Sequence, residues 1–139
     1  MDLNRRTKLI TKIIVHCSDT DHKEHDDIEW IRKLHKDKGW IDIGYHFFIN
    51  KNGKISDGMH ITKTGAHCQG QNISSIGVCL GGRNEFTEAQ FRSALFLIKG
   101  LMQTYGIKRE NVFPHNHFSP CKTCPNFSLD KIWKFEDER

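Results

Sequence analysis

Two apolar, β-branched runs, Lys12–Cys17 (Lys-Ile-Ile-Val-His-Cys) and Ser75–Leu80 (Ser-Ile-Gly-Val-Cys-Leu), constrain this chain more than any other feature. Each has the length of a strand, and each is apolar at consecutive rather than alternate positions. A strand of that kind is buried on both faces, so it needs cover on both.

Between and after these runs the period changes to that of a helix. From Asp27 onward Ile28, Ile31 and Leu34 recur at helical spacing, with Asp26 or Asp27 as the cap and Gly39 as the stop. Tyr45–Ile49 reads as a strand. Lys51-Asn-Gly-Lys54 reads as a hairpin turn into a return strand from Lys54 to Ser56, because Asn-Gly tolerates positive φ. Residues 58–72 read as a long loop. Thr87-Glu-Ala-Gln90 is a capping box, in which Thr87 and Gln90 satisfy each other's orphan backbone donors. The helix it opens carries Phe91, Leu95, Ile98, Leu101, Met102 and Tyr105 on one stripe and ends near Gly106. Val112-Phe113 forms a short strand and Leu129–Phe135 a last short helix. No repeat, linker or low-complexity tract interrupts the pattern. The alternation predicts an α/β fold in a single domain over residues 1–139, with a central mixed β-sheet flanked by helices on both faces. Sites in such folds gather at strand ends and their loops. His16 ends one strand, Tyr45 opens another, and His115 follows a third.

Composition narrows the classes of function. A chain of 139 residues suits one core. No apolar run approaches the ~20 residues of a membrane span, and no stretch of signal-peptide length follows the basic residues of the N-terminus. The expectation is cytoplasmic synthesis and no membrane partner. The net charge of +4 is mild and scattered, and no nucleic-acid partner is predicted from it. Arg5, Arg6, Lys8 and Lys12 form the largest local excess, read either as a basic arm or as a solvated terminus. Five cysteines, an odd number without a secretion signal, argue against a disulfide scaffold. Metal binding or catalysis is then the better use for any cysteine that is not simply buried.

Pro114-His-Asn-His-Phe-Ser-Pro-Cys-Lys-Thr-Cys-Pro125 is the densest cluster of metal-capable side chains. Zinc takes imidazole nitrogen and thiolate sulfur in tetrahedral geometry, and a catalytic site keeps three protein ligands and an open fourth position. From spacing alone the segment reads either as a zinc site or as a surface loop with incidental His and buried Cys. Cys121-Lys-Thr-Cys124 also has the spacing of a redox dithiol, but the flanking Pro120 and Pro125 make a poor context for one. His16 is far away in sequence, and spacing does not connect it to this cluster.

Five segments occur in a telling order: Ile-Ile-Val-His-Cys-Ser-Asp-Thr (13–20), Ile-Gly-Tyr-His-Phe-Phe-Ile (43–49), Gly-Ala-His-Cys (65–68), Asn-Ile-Ser-Ser-Ile-Gly-Val-Cys-Leu (72–80) and Lys-Thr-Cys-Pro (122–125). Together they closely resemble the type 2 N-acetylmuramoyl-L-alanine amidases, which include small phage lysozyme-amidases and are related to the peptidoglycan-recognition proteins. The resemblance covers about residues 10–135. It implies zinc held by His16, His115 and Cys124, with Tyr45 and Lys122 as catalytic helpers. It implies hydrolysis of the amide between N-acetylmuramic acid and L-alanine of peptidoglycan, by a phage or prophage endolysin that reaches the wall through a separate pore and works as a monomer. A non-catalytic peptidoglycan-binding module on the same fold is the alternative. Some phage members of the family also bind a viral RNA polymerase; no residue here reports such an interface and none is predicted.

His67, in the Gly-Ala-His stretch, is expected at the cleft as a substrate-binding residue, or else as a loop histidine bonded to backbone. His46 follows Tyr45 and is expected on the opposite face of its strand, in the core or behind the site. One departure from the family pattern concerns Cys124. Eight residues separate it from His115, one more than in the small phage members, and the surplus falls at Cys121. Cys121 is therefore a competitor for Cys124, and His117 for His115.

Overall fold

A computed structural model describes Arg6 and residues 9–136. Its centre is one five-stranded sheet built from β1 (Lys12–Cys17), β2 (Phe47–Ile49), β3 (Ile55–Asp57), β4 (Ser75–Leu80) and β5 (Val112–Pro114), in the order β3-β2-β4-β1-β5. The two runs that dominate the sequence are the two central strands. β1 lies parallel to both β4 and β5, and β2 is parallel to β4. Only the edge pair β2–β3 is antiparallel, joined by the expected Asn-Gly turn. There Asn50 Oδ1 accepts from the N–H groups of Asn52 and Lys54, and Gly53 adopts a φ of +83°.

Three helices accompany the sheet among the described residues: α1 (Ile28–Asp37), α2 (Glu88–Tyr105) and α3 (Asp130–Trp133). Asp27 caps α1, its Oδ1 accepting from the Glu29 N–H. Thr87 and Gln90 form the full capping box of α2, and Gly106 ends that helix in the left-handed conformation. Side-chain alternation along the strands decides what each helix covers. Ile13, Val15, Ile76, Val78 and Leu80 pack against Phe91, Ala94, Ile98 and Leu101 of α2 and Ile132 and Trp133 of α3. The opposite face carries a smaller cluster of Phe48, Cys79 and Ile43 beneath Ile31 of α1. Each such apolar side chain contributes about 1.5–3 kcal/mol when fully buried. The α1 face is thinner in apolar cover, and its buried polar members are histidines and Ser75. The expected cover on both faces is therefore present, and the two faces have different tasks.

Gln90 ties α2 to the sheet. Its Nε2 donates to the carbonyls of Ile49 and Gly81 while its Oε1 accepts from the Thr87 N–H, and the side chain is fully buried. Of the basic N-terminal residues, Arg5 and Lys8 lie outside the described part. Arg6 is neither a solvated terminus nor a free arm. Its guanidinium donates to the carbonyls of Ile61 and Ser75, which ties Arg6 to the 58–75 loop.

Candidate metal centre and active-site cleft

Register brings the first two candidates together. Val15 of β1 stands beside Pro114 of β5, so His16 and His115 follow on adjacent parallel strands. Their rings lie 4.4 Å apart between centroids. After His115 the chain makes a short helical turn and folds back, and the Asn116 N–H donates to the Cys124 carbonyl at 3.0 Å. That closure returns Cys124 to β1, where the Cys17 N–H donates to its Sγ at 3.1 Å. One ligand atom from each of His16, His115 and Cys124 then lies within 4.8 Å of the others. Tetrahedral zinc with N at about 2.0–2.1 Å and S at about 2.3 Å sets its ligand atoms about 3.3–3.6 Å apart, a spacing that falls inside this bound. Two imidazoles and one thiol fit such an ion in donor type as well.

The electrostatics suit a cation. Burial, with His67 and His115 alongside, holds His16 well below the ordinary histidine range, so its imidazole is neutral and offers a lone pair. Burial and the Lys122 ammonium do the same more mildly for His115. The Cys17 thiol beside it, and then burial, push the Cys124 thiol above its ordinary range. A bound cation offsets that penalty by taking the thiolate, which couples metal uptake to proton release.

Tyr45 and Lys122 stand at the same place. A cleft of about 300 Å³ opens between α1 and the 115–124 loop, lined on one side by Trp30, Leu34 and His35 and on the other by His115, Lys122 and Cys124, with Tyr45 between. The Tyr45 ring lies 5.1 Å from that of His16. Burial, and then the thiols of Cys79, Cys124 and Cys17, push its hydroxyl above the ordinary tyrosine range, so it stays protonated and can donate. Lys122 is exposed at the rim. A larger hollow of about 940 Å³ runs along α2 beside Leu95, Phe96 and Met102, but it contains none of the candidate residues.

The two competitors fall elsewhere. Cys121 is exposed and lies outside the ligand trio, and His117 stacks on Phe113 at 4.6 Å. His67 departs from its expected position. It is 8 % exposed and does not line the cleft, because it lies behind His16, with Nδ1 2.8 Å from His16 Nε2 and Nε2 3.2 Å from Ser75 Oγ. Both ring nitrogens are occupied within the protein, by a candidate ligand on one side and Ser75 on the other. His46 is buried as expected, accepting from the Gly77 N–H at Nδ1 and donating to the Lys63 carbonyl from Nε2. Ser75, Trp30 and His35 carried no signal in the sequence, since their places depend on how α1 and the 65–75 loop dock on the sheet.

The family model described as N-acetylmuramoyl-L-alanine amidase matches residues 5–127. The endolysins of Enterobacteria phage T3 and Escherichia phage T7 are each 37% identical over 130 residues, covering 88% of this chain and 84% of theirs. Among solved structures, the N-acetylmuramoyl-L-alanine amidase LysC from Clostridium intestinale URNW superposes with a TM-score of 0.80 at 27% identity, covering 100% of this chain and 96% of that one. Drosophila PGRP-LB shares the fold at a TM-score of 0.77 and 22% identity, over 96% of this chain and 84% of its own. With this match along most of its length, the chain belongs to the N-acetylmuramoyl-L-alanine amidase family.

Proposed function

We propose that this protein is a zinc-dependent hydrolase of the amide between N-acetylmuramic acid and L-alanine, working as a phage or prophage endolysin. The observation that carries this reading is the convergence of His16, His115 and Cys124 within 4.8 Å, at the floor of a cleft that His115, Cys124, Tyr45 and Lys122 line. Membership of the amidase family supports the bond that is cut, and the T3 and T7 relatives, both endolysins, support the setting.

His16, His115 and Cys124 hold the ion, and the Cys17 N–H steadies the sulfur. Zinc so held supplies a Lewis acid and lowers the pKa of water to about 7. The chain's own groups do the rest. Attack on the amide carbonyl builds negative charge on its oxygen, and preorganised donors at that point lower the barrier. Lys122 brings a full positive charge there from the loop rim. Tyr45 brings a hydroxyl that burial keeps protonated. Either group can pass a proton to the departing amine of L-alanine, which must leave neutral. Trp30 and Leu34 wall the other side of the cleft and offer apolar surface to the bound muropeptide. The enzyme acts as a monomer and meets the wall after release through a separate pore.

Incubation of the zinc-loaded protein with purified cell walls tests the reading. Mass spectrometry is expected to find intact stem peptides with a free L-alanine amino group beside uncut glycan strands, and chelation is expected to stop their release. Cleavage of sugar–sugar bonds alone would refute it. Wall binding without turnover in the presence of zinc would favour the non-catalytic module instead.

A further inference from the structure

Behind His16 runs a chain of three hydrogen bonds whose direction is set at its far end. Ser75 Oγ donates its single proton to the Gln71 carbonyl at 2.7 Å, because a carbonyl can only accept. Toward His67 Nε2, at 3.2 Å, Ser75 Oγ can then only accept, so the His67 proton sits on Nε2. A neutral His67 has a bare Nδ1, and His16 Nε2 must donate to it across 2.8 Å. The remaining nitrogen of His16, Nδ1, is left with its lone pair free.

The surroundings hold this relay in place. Both imidazoles are buried, and their rings meet edge to face at 90°. Asn72 Oδ1 accepts from the backbone N–H groups of both His67 and Cys68 at 2.9 Å, which pins the loop that carries the ring. The ring lies flat on Gly77 of β4, where an added methyl group would come within 2.6 Å of it. A histidine held at both nitrogens, at its backbone and by its face has one available orientation. Metal-binding imidazoles depend on such partners, because the bond made by the second nitrogen selects the tautomer and the ring angle.

We propose that His67, backed by Ser75 and the Gln71 carbonyl, is a positioning residue that fixes His16 as the Nε2–H tautomer and so presents Nδ1 to the metal. The zinc half of this statement rests on the proposed function above. The tautomer half does not, and it is measurable in zinc-free protein.

The test compares wild type with His67→Ala, His67→Asn and Ser75→Ala. Asparagine places its amide oxygen near the position of Nδ1, so it keeps the acceptor for His16 but drops the link to Ser75. Long-range ¹⁵N–¹H correlation spectra of the zinc-free, labelled protein report which nitrogen of His16 carries the proton. Zinc affinity is read by competition with a chromophoric chelator, and melting curves check the fold of each variant. Wild type is expected to show His16 protonated on Nε2. His67→Ala is expected to mix the tautomers and weaken zinc binding roughly 10–100-fold, His67→Asn to recover most of that loss, and Ser75→Ala to fall between. Should His67→Ala fail to fold, the asparagine and serine variants carry the same comparison. Wild-type His16 protonated on Nδ1 would overturn the proposal, as would equal zinc affinity in folded wild type and His67→Ala. A wild-type chain that binds no zinc would refute the proposed function and the zinc half of this proposal, and the spectra would still decide the tautomer half.

Discussion

Gly77→Ala puts the packing behind the candidate metal centre under direct strain. Gly77 lies in the middle of β4, between β1 and β2, and its φ is outside the left-handed region, so alanine fits the backbone itself. The obstacle is steric. The new Cβ would lie 2.6 Å from Cγ, 2.7 Å from Cδ2 and 2.9 Å from Nδ1 of the His67 ring. To reach ordinary contact at 3.4 Å the ring must retreat by about 0.8 Å. A shift of that size runs across the ring face rather than along the 2.8 Å bond to His16, so it bends that bond out of line and weakens it. Overpacking costs about 1–3 kcal/mol and a weakened buried hydrogen bond up to about 1 more, so the variant should lose roughly 2–4 kcal/mol of stability. For a chain of this size that lowers Tm by about 8–15 °C. Because the displaced partner belongs to His67, zinc affinity should fall too, roughly 10-fold or more. Gly100→Ala is the control: it lies exposed in α2 with nothing near its Cβ position, and should gain about 0.5–1 kcal/mol. Calorimetry and chelator competition read both effects. Wild-type Tm together with wild-type zinc affinity in Gly77→Ala would refute the reasoning.

Other perturbations reach different parts of the account. Gln90→Ala strands the Gly81 carbonyl and the Thr87 N–H and takes one of two donors from the Ile49 carbonyl, which keeps the Gly81 N–H, and should cost about 2–5 kcal/mol by urea unfolding; a loss under 1 kcal/mol would contradict the tie between α2 and the sheet. Lys122→Met and Tyr45→Phe should each lower kcat about 10²–10³-fold while zinc stays bound, since neither is a ligand; unchanged turnover would remove them from the mechanism. Burial, with Lys38 nearby, lowers His35 to about 4, and burial, aided by Arg6, lowers His46 to about 4. Both folded values lie below the unfolded 6.5, so the stability these groups contribute is complete above pH 6.5 and is lost as pH falls toward 4. The pair accounts for on the order of 5 kcal/mol, and Tm should decline through that window before the carboxylates titrate. A flat Tm from pH 7 to 4.5 would count against it.

What could be read from the sequence follows from how local each signal is. The β-branched runs, the Asn-Gly turn and the Thr87–Gln90 box act within a few residues, and the elements they predict are present with ends shifted by one or two positions. The stripe on α2 was legible for the same reason, because helical spacing alone selects its buried face. The meeting of His16 with a segment a hundred residues away was not legible from spacing. It depends on the parallel register of β1 with β5, and only the family resemblance joined the two. His67 exposed the limit of motif reading. Its neighbours Gly65 and Ala66 mark a loop near the site, but whether the ring faces the cleft or the back of His16 is decided by Asn72 and by the bare face of Gly77. Arg6 was missed because its partners are backbone carbonyls, which no side-chain pattern announces.

The central claim is that His16, His115 and Cys124 form a zinc site that drives cleavage of a peptidoglycan amide, and the cysteine pair tests it most directly. Cys124→Ala and Cys121→Ala differ by three positions in sequence, yet Cys124 joins the ligand trio and Cys121 is exposed outside it. Zinc content by atomic emission and release of stem peptides should be measured on both proteins. Loss of bound zinc and of hydrolysis in Cys124→Ala, with both retained in Cys121→Ala, is the predicted result. Retention of both by Cys124→Ala, or their loss only in Cys121→Ala, would contradict the account.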